Sequence, residues 1–416
     1  MRRRVAGNLL WMLAERGLQV GVGVGVVAML ARALGPEGFA HFQYAQSIVL
    51  IAASFALVCS AEVVVPRLVA AATPAAEQQL LWQAFVLRLG GGVIGYLLMC
   101  GYLGITAPLA DIWHAALLLG IAILLREPVG VVTAWMQAHT NNRPGTLFSL
   151  AALAIKASLV GALFAAHVTN VAGYALAFAV EAIVLAGLLA ISYWRQRVPG
   201  HAGWQPALAR ELLGAGTLFW ISFILMMGAR RVDQLILQPA VPAAEFGAYA
   251  ACMQILDNFT MVATILAAGV APSYVYARQR FDDAHASIGR IALGLGGLGL
   301  AGGLALAACA PWIVTLLYGH AFSTTVGLLR IAAIISALVF ADVALTLLAA
   351  HLRQPRWVTV KWALVLATIL VWDLLMIPRF GNWAAVAGYG LGNAVAVMVG
   401  ALLWWRHRPA RQMASA

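Results

Sequence analysis

Charge is what this 416-residue chain most lacks. Only 10% of its residues are Asp, Glu, Lys or Arg, while 63% are hydrophobic; soluble domains run nearer a quarter charged and half apolar. With a mean hydropathy of +0.89, the composition excludes a water-soluble globule and makes lipid the solvent. Cysteine is scarce as well. Cys59, Cys100, Cys252 and Cys309 all fall inside apolar runs with no C-x-x-C spacing, which argues against a zinc site, a haem attachment or a disulfide framework and leaves them as small packing residues. The nine histidines form no H-x-x-x-H pair, and no G-x-x-x-x-G-K-[ST] phosphate loop occurs. No metal, cofactor or nucleotide is therefore expected. One run, Gly294 to Gly299, matches the dinucleotide-binding fingerprint letter by letter, but it lies inside an apolar span and follows no strand.

Long hydrophilic loops are missing too. No stretch between apolar runs exceeds roughly twenty residues, and a folded soluble domain needs at least about 50. The work of this chain is therefore done inside the bilayer. A membrane glycan polymerase or glycosyltransferase would carry long outer loops with catalytic acids or arginines, so the chain reads as a transporter rather than an enzyme.

What is present is a series of apolar runs, each near the roughly 20 residues a helix needs to cross hydrocarbon. Twelve are expected, over 8–33, 40–65, 81–104, 112–136, 146–167, 172–194, 212–237, 245–271, 288–316, 326–350, 358–377 and 384–405. The fold class is all-α, a membrane protein of about twelve transmembrane helices. Sixteen arginines sit on the termini and the even-numbered loops, against Arg32 and Arg379 on the other side. That asymmetry predicts both termini in the cytoplasm, and it explains the net charge of +11 without nucleic acid. Tryptophans at predicted span ends, among them Trp194, Trp312, Trp383, Trp404 and Trp405, read as headgroup anchors.

A weak internal repeat runs at an offset of about 207 residues. Phe39-Ala40-His41-Phe42 aligns with Phe246-Gly247-Ala248-Tyr249, Ile48 with Ile255, Pro66 with Pro272, and Ala138-His139 with Ala350-His351. Two six-helix bundles, 1–200 and 201–416, are implied. Six being even, both halves share one orientation: parallel repeats with a central cavity at their interface.

Ionisable side chains inside a span cost about 2.5–3.5 kcal/mol each on insertion scales, so every one is a functional candidate. Arg88 and Lys156 lie deepest and are the first choices for contact with an anionic headgroup such as a diphosphate. A guanidinium supplies paired N–H donors and an ammonium a point charge. Arg16, Arg126 and Arg231 extend the cationic path. Glu62, Glu127, Asp257 and Asp342 are candidates for taking up a coupling ion, a proton or sodium. The competing reading is that these groups pair with one another, as Arg126 with Glu127, or Arg230 with Asp233 at i, i+3. Small residues such as Gly17, Gly21 and Gly25, or Gly299 and Gly303, are expected to let helices approach closely.

Four segments carry a resemblance. Arg32-Ala33-Leu34-Gly35-Pro36-Glu37-Gly38-Phe39 is similar to an R-x-L-G-P-x-x-[FY]-G signature, with Ala40 in place of the last glycine. Arg231-Val232-Asp233-Gln234-Leu235, followed by Phe246-Gly247-Ala248-Tyr249-Ala250-Ala251, is similar to an R-[IV]-D-x-[IL] helix and its [VF]-G-x-Y-x-x-A sequel. Leu317-Tyr318-Gly319 with Phe322, and Ile377-Pro378-Arg379-Phe380-Gly381, complete the set in order. Together they resemble the oligosaccharide flippase family of the multidrug/oligosaccharidyl-lipid/polysaccharide (MOP) exporter superfamily. The resemblance implies a bacterial inner-membrane carrier of undecaprenyl-diphosphate-linked oligosaccharide repeat units, working by alternating access beside a polysaccharide polymerase and chain-length machinery. A multidrug antiporter of the same superfamily is the alternative, for which an acid-lined cavity is expected.

Overall fold

Hydrocarbon offers the backbone no water, so a chain this apolar must satisfy its amide groups internally, and helices do so within each segment. Helices are what it forms, with no strand among the described residues. The computed structural model describes residues 2–197, 202–276, 280–352 and 354–408, and their side chains apart from residues 2–16, Ser273 and Tyr276.

Eleven segments are long and apolar enough to cross a membrane. The first, Gly17–Ala70, is broken at Gly35, whose φ of 64° lies in the left-handed region. Pro36 follows and cannot supply the missing amide hydrogen. Counting the two arms separately, as α1 (residues 2–34) and α2 (residues 36–70), gives the twelve spans that hydropathy predicts. The others are α3 (Pro74–Thr106), α4 (Ala110–Ala138), α5 (Arg143–Ala165), α6 (Val171–Gln196), α7 (Pro206–Leu237), α8 (Ala243–Ala271), α9 (Phe281–Tyr318), α10 (Thr325–His351), α11 (Arg356–Phe380) and α12 (Asn382–Arg406). Three helices are interrupted, one of them α10, at Ser336. α2 tightens into a 3-10 turn at Ser54–Leu57 and resumes at Ala61–Ala70. α4 breaks around the short turn Arg126–Val129.

The helices pack as two units, Met1–Ile224 and Leu225–Ala416. The sequence places the boundary at residue 200; the difference lies in α7, whose first half packs into the first unit. Glu211 pairs there with Arg67 at 3.3 Å, Trp220 meets Phe55 edge-on at 6.4 Å, and Gly216 sits against the Val58 carbonyl. A linker is conspicuous in sequence, whereas a helix belonging to two units is not.

In the first unit, Val58, Val63, Val64 and Leu68 of α2 bury against Leu80, Leu81 and Ala84 of α3 and Val131 and Val132 of α4. In the second, Gly303 of α9 lies so close to the Ala333 carbonyl of α10 that a Cβ has no room, and Gly299 packs on the Phe340 ring. Gly17, Gly21 and Gly25, expected to do the same, have nothing within 4 Å of the Cβ position among the described residues. The repeated positions Phe39 and Phe42, and Phe246 and Tyr249, are all buried, each within its own unit.

One clasp closes the second unit. His285 near the start of α9 stacks on Trp404 near the end of α12, with ring centroids 4.6 Å apart. The Trp404 indole N–H donates to the His285 carbonyl at 3.1 Å, and His285 Nε2 lies 2.8 Å from the Trp404 carbonyl oxygen. Trp404, expected as a headgroup anchor, is thus a packing residue. Trp194, Trp312, Trp383 and Trp405 remain exposed.

Candidate functional site

Broken helices leave carbonyls without partners. In the first unit that fact accounts for Arg88, expected to contact an anion. Arg88 on α3 is 5% exposed. Its Nε–H donates to the Cys59 carbonyl at 2.7 Å, and Nη1 to the Glu127 carbonyl at 3.4 Å. These carbonyls lie at the interruptions of α2 and α4, so Arg88 holds two broken helices to an unbroken one.

Lys156 on α5 is likewise engaged. Its ammonium lies 2.7 Å from Glu181 Oε2 on α6 and 4.6 Å from the centre of the Phe178 ring. Arg126 and Glu127 form the neighbouring pair foreseen from sequence, loosely, at 3.9 Å, and Glu62 is exposed. The side chain of Arg16 lies outside the described residues. The first unit therefore brings its predicted cations to acids and carbonyls rather than to one another.

The second unit gathers its charges around a cavity of about 310 Å³ among α7, α8, α10, α11 and α12. Two tight ion pairs stand here. Arg231 on α7 reaches Asp257 on α8 at 2.6 Å. Lys361 on α11 gives its ammonium hydrogens to both oxygens of Asp342 on α10, each at 2.9 Å, and to Thr346 Oγ1 at 2.7 Å. Arg231, expected to bind cargo, and Asp257 and Asp342, expected to bind an ion, are thereby bound to internal partners. Asp342 and Asp257 line the cavity.

Arg230 lines the same cavity and has no ion-pair partner among the described residues. The pairing with Asp233 that i, i+3 spacing suggests does not form. The Asp233 carboxylate instead accepts a hydrogen bond from the Tyr249 hydroxyl of α8.

Two carboxylates stand apart. Asp233 is 5% exposed and Asp373 on α11 is 0% exposed, and among the described residues neither Asp233 Oδ1 nor either oxygen of Asp373 has a hydrogen-bond partner. Asp373 lies within electrostatic reach of Asp233 and Tyr249. Burying two carboxylates together as anions, away from water, is unfavourable twice over: each loses hydration and each repels the other. The arrangement is suited to a proton or another monovalent cation, which removes one of the two charges. Sequence reasoning singled out neither for coupling. The feature that distinguishes them, the lack of a partner, exists only in three dimensions.

Gly388 on α12 makes room for Asp373: a Cβ at that position would collide with Oδ1 and lie 3.1 Å from the Trp372 ring. Gly388→Ala is expected to lower the thermal unfolding midpoint of the purified protein by the equivalent of about 1–3 kcal/mol, the usual cost of overpacking. A variant as stable as wild type would show that Asp373 has space to move.

No protein-family model matches the sequence, and no curated protein does. Solved structures do match. An inward-facing multidrug resistance MATE family transporter of the MOP superfamily aligns with a TM-score of 0.75 at 14% identity, over 96% of this chain and 96% of its own. The lipid II flippase MurJ in an inward closed conformation aligns with a TM-score of 0.76 at 9% identity, over 94% and 87%. A MOP superfamily transporter from Pyrococcus furiosus, described as having a binding pocket of reverse polarity, aligns with a TM-score of 0.62 at 14% identity, over 94% of each chain. At such identities the likeness speaks for architecture alone: the chain has the twelve-helix, two-lobe fold of MOP superfamily transporters.

Proposed function

We propose that this protein is a flippase, moving an undecaprenyl-diphosphate-linked oligosaccharide repeat unit from the cytoplasmic to the periplasmic leaflet of a bacterial inner membrane. The observation that carries the reading is the state of the charges in the second unit's cavity. Asp257 and Asp342 are held by Arg231 and Lys361, while the Arg230 guanidinium has no ion-pair partner among the described residues. A cavity whose uncommitted group is a fork of N–H donors favours a diphosphate, which accepts paired hydrogen bonds from it. The four sequence motifs of the oligosaccharide flippase family point the same way, as does the shared fold with a lipid flippase.

The multidrug antiporter reading draws on the equal likeness to a MATE transporter. It calls for free acids facing a cationic drug, and two of the three acids lining this cavity, Asp257 and Asp342, are held in ion pairs, while the third, Asp233, is buried and accepts a hydrogen bond from the Tyr249 hydroxyl through one of its oxygens. In the flippase reading both termini are cytoplasmic, as the arginine asymmetry predicts. Asp233 and Asp373 take up a proton or a sodium ion during the cycle, and a polysaccharide polymerase and its chain-length machinery use the exported unit.

The test is export of surface polysaccharide from a strain deleted for the gene and complemented with wild type or Arg230→Ala, with lipid-linked intermediates quantified. Deletion is expected to abolish export and to strand repeat units on the cytoplasmic leaflet, with Arg230→Ala restoring less than a tenth of it. Undiminished export in the deletion strain, with only drug tolerance altered, replaces this reading with the antiporter.

A further inference from the structure

Helix α11 meets α7 through Leu366, which packs against Gly228. Nine residues further on, at about 100° per residue, two and a half turns have passed and Leu375 faces the opposite way. On that side α11 and α12 leave an open groove of about 460 Å³, lined by Ala367, Thr368, Val371, Trp372 and Leu375 of α11 and by Leu391 of α12. Both side chains there that could hydrogen-bond are satisfied within the unit. The Thr368 hydroxyl donates to the Leu364 carbonyl at 2.8 Å, and the Trp372 indole N–H to the Ala384 carbonyl at 3.0 Å. What remains facing the groove is hydrocarbon and an aromatic ring, with Val371 61% and Leu375 60% exposed. In a transmembrane segment such a surface suits an apolar chain and offers nothing to a polar one.

We infer that this groove is a fixed site for one acyl chain of an anionic phospholipid, such as phosphatidylglycerol, whose phosphate sits on Arg379. Length and charge both support it. From Ala367 to Met376 the lining rises by nine residues, about 14 Å, close to half of a hydrocarbon core roughly 30 Å thick. The groove is thus as long as one leaflet is deep, which fits an ordinary acyl chain and not the much longer undecaprenyl tail. The row 367, 371, 375 then reaches Arg379 one turn further on, and α11 stays helical to Phe380. Arg379 is exposed and enters no salt bridge among the described residues. Phe380 and Trp383, 62% and 51% exposed, stand at the same turn, as aromatic residues do at headgroup depth. With Arg32, Arg379 is one of two arginines on the side that the sequence asymmetry leaves nearly bare, so the positive-inside bias does not account for it. A guanidinium at the mouth of an apolar groove gives a lipid phosphate paired N–H donors. A net negative lipid gains from that charge, whereas a neutral one only fills the groove. The site lies on the outer wall of the unit, and the inference is independent of the flippase reading.

Because cytoplasmic arginines also attract anionic lipid, the test has to read this site alone. The full-length protein is placed in phosphatidylcholine nanodiscs holding a small fraction of phosphatidylglycerol with a diazirine midway along one acyl chain, and after illumination the adducts are mapped by peptide mass spectrometry. Labelling is expected to concentrate on residues 367–376, and to be suppressed by excess unlabelled phosphatidylglycerol but not by the same excess of phosphatidylcholine. Arg379→Gln is expected to lower the yield at those residues about fivefold, the loss of one cation's attraction for an anionic lipid, while labelling on other helices is unchanged. Arg379→Lys keeps the charge and is expected to retain most of the yield. Ala367→Phe, which fills the inner end of the groove, is expected to lower the yield without altering the preference for phosphatidylglycerol. Thermal unfolding confirms that each variant is folded. Labelling spread evenly over exposed helix faces, or labelling of residues 367–376 that Arg379→Gln leaves intact, overturns the inference. Suppression by geranyl diphosphate and not by phosphatidylglycerol assigns the groove to a prenyl chain and overturns it as well.

Discussion

Lys361→Ala is expected to destabilise the second unit by about 3–5 kcal/mol, the loss that follows when one member of a buried ion pair is removed and its partner stays behind. Lys361 is 4% exposed and Asp342 6%, and the ammonium has all three hydrogens committed, two to the carboxylate and one to Thr346. Without it, Asp342 remains in the bundle with a charge that neither water nor a neighbour compensates. The double variant Lys361→Met, Asp342→Leu removes both charges and keeps the volume, and it is expected to recover most of the lost stability, since replacing a whole buried pair by packed apolar groups is often neutral or favourable. Thermal unfolding of the purified proteins reads both outcomes. A single variant as stable as wild type, or a double variant no better than the single, would mean that water reaches the pair and that its partners matter less than its hydration. A lower midpoint in both singles with rescue in the double identifies the pair as structural, and then neither Lys361 nor Asp342 is free to bind cargo or a coupling ion.

Arg88→Ala is expected to cost about 3 kcal/mol, from two backbone carbonyls that lose a charged donor at about 1.5–3 kcal/mol for a well-formed bond. The longer contact, 3.4 Å to the Glu127 carbonyl, contributes the smaller share. Arg88→Lys keeps the charge but cannot reach both carbonyls with one ammonium, so it is expected to fall between alanine and wild type. The distinguishing measurement is affinity for a short-chain prenyl-diphosphate-linked sugar in whatever fraction of Arg88→Ala remains folded. An unchanged Kd assigns Arg88 to the architecture of the first unit. A Kd weakened tenfold or more with an unchanged melting midpoint would return it to the cargo path that its depth in α3 first suggested.

The contrast between Arg88 and Asp373 shows where sequence reading succeeds in a membrane and where it stops. Span positions were legible because the hydrocarbon penalises each polar residue separately, so the apolar runs carry the fold in one dimension. Predicted and observed span ends agree to within about seven residues: α8, expected over 245–271, is found as Ala243–Ala271, and α9, expected over 288–316, as Phe281–Tyr318. The break at Gly35-Pro36 is local in the same way, since glycine and proline act through their own backbone. Charge partners were not legible. Lys156 finds Glu181 on the next helix and Arg231 finds Asp257 on α8, choices made by which helix faces touch. Arg230 and Arg231 are adjacent in sequence and differ in fate because a helix turns by about 100° between them; one meets a carboxylate and the other a cavity. The site was therefore visible as a set of residue types and invisible as a set of relations. Asp233 and Asp373, which carry the coupling proposal, gained their meaning only when their neighbours proved to be elsewhere.

The clasp between His285 and Trp404 has a consequence for biogenesis. The two residues are separated by 119 positions, and the ribosome delivers them in that order, with α9 through α12 threaded into the bilayer in between. Until the last helix arrives, the start of α9 lacks the stacked ring and both hydrogen bonds that fix it. The second unit is thus a bundle whose closing contact is made by its final turn, and a nascent chain arrested before Trp404 offers quality-control proteases an unpinned end that the finished protein conceals.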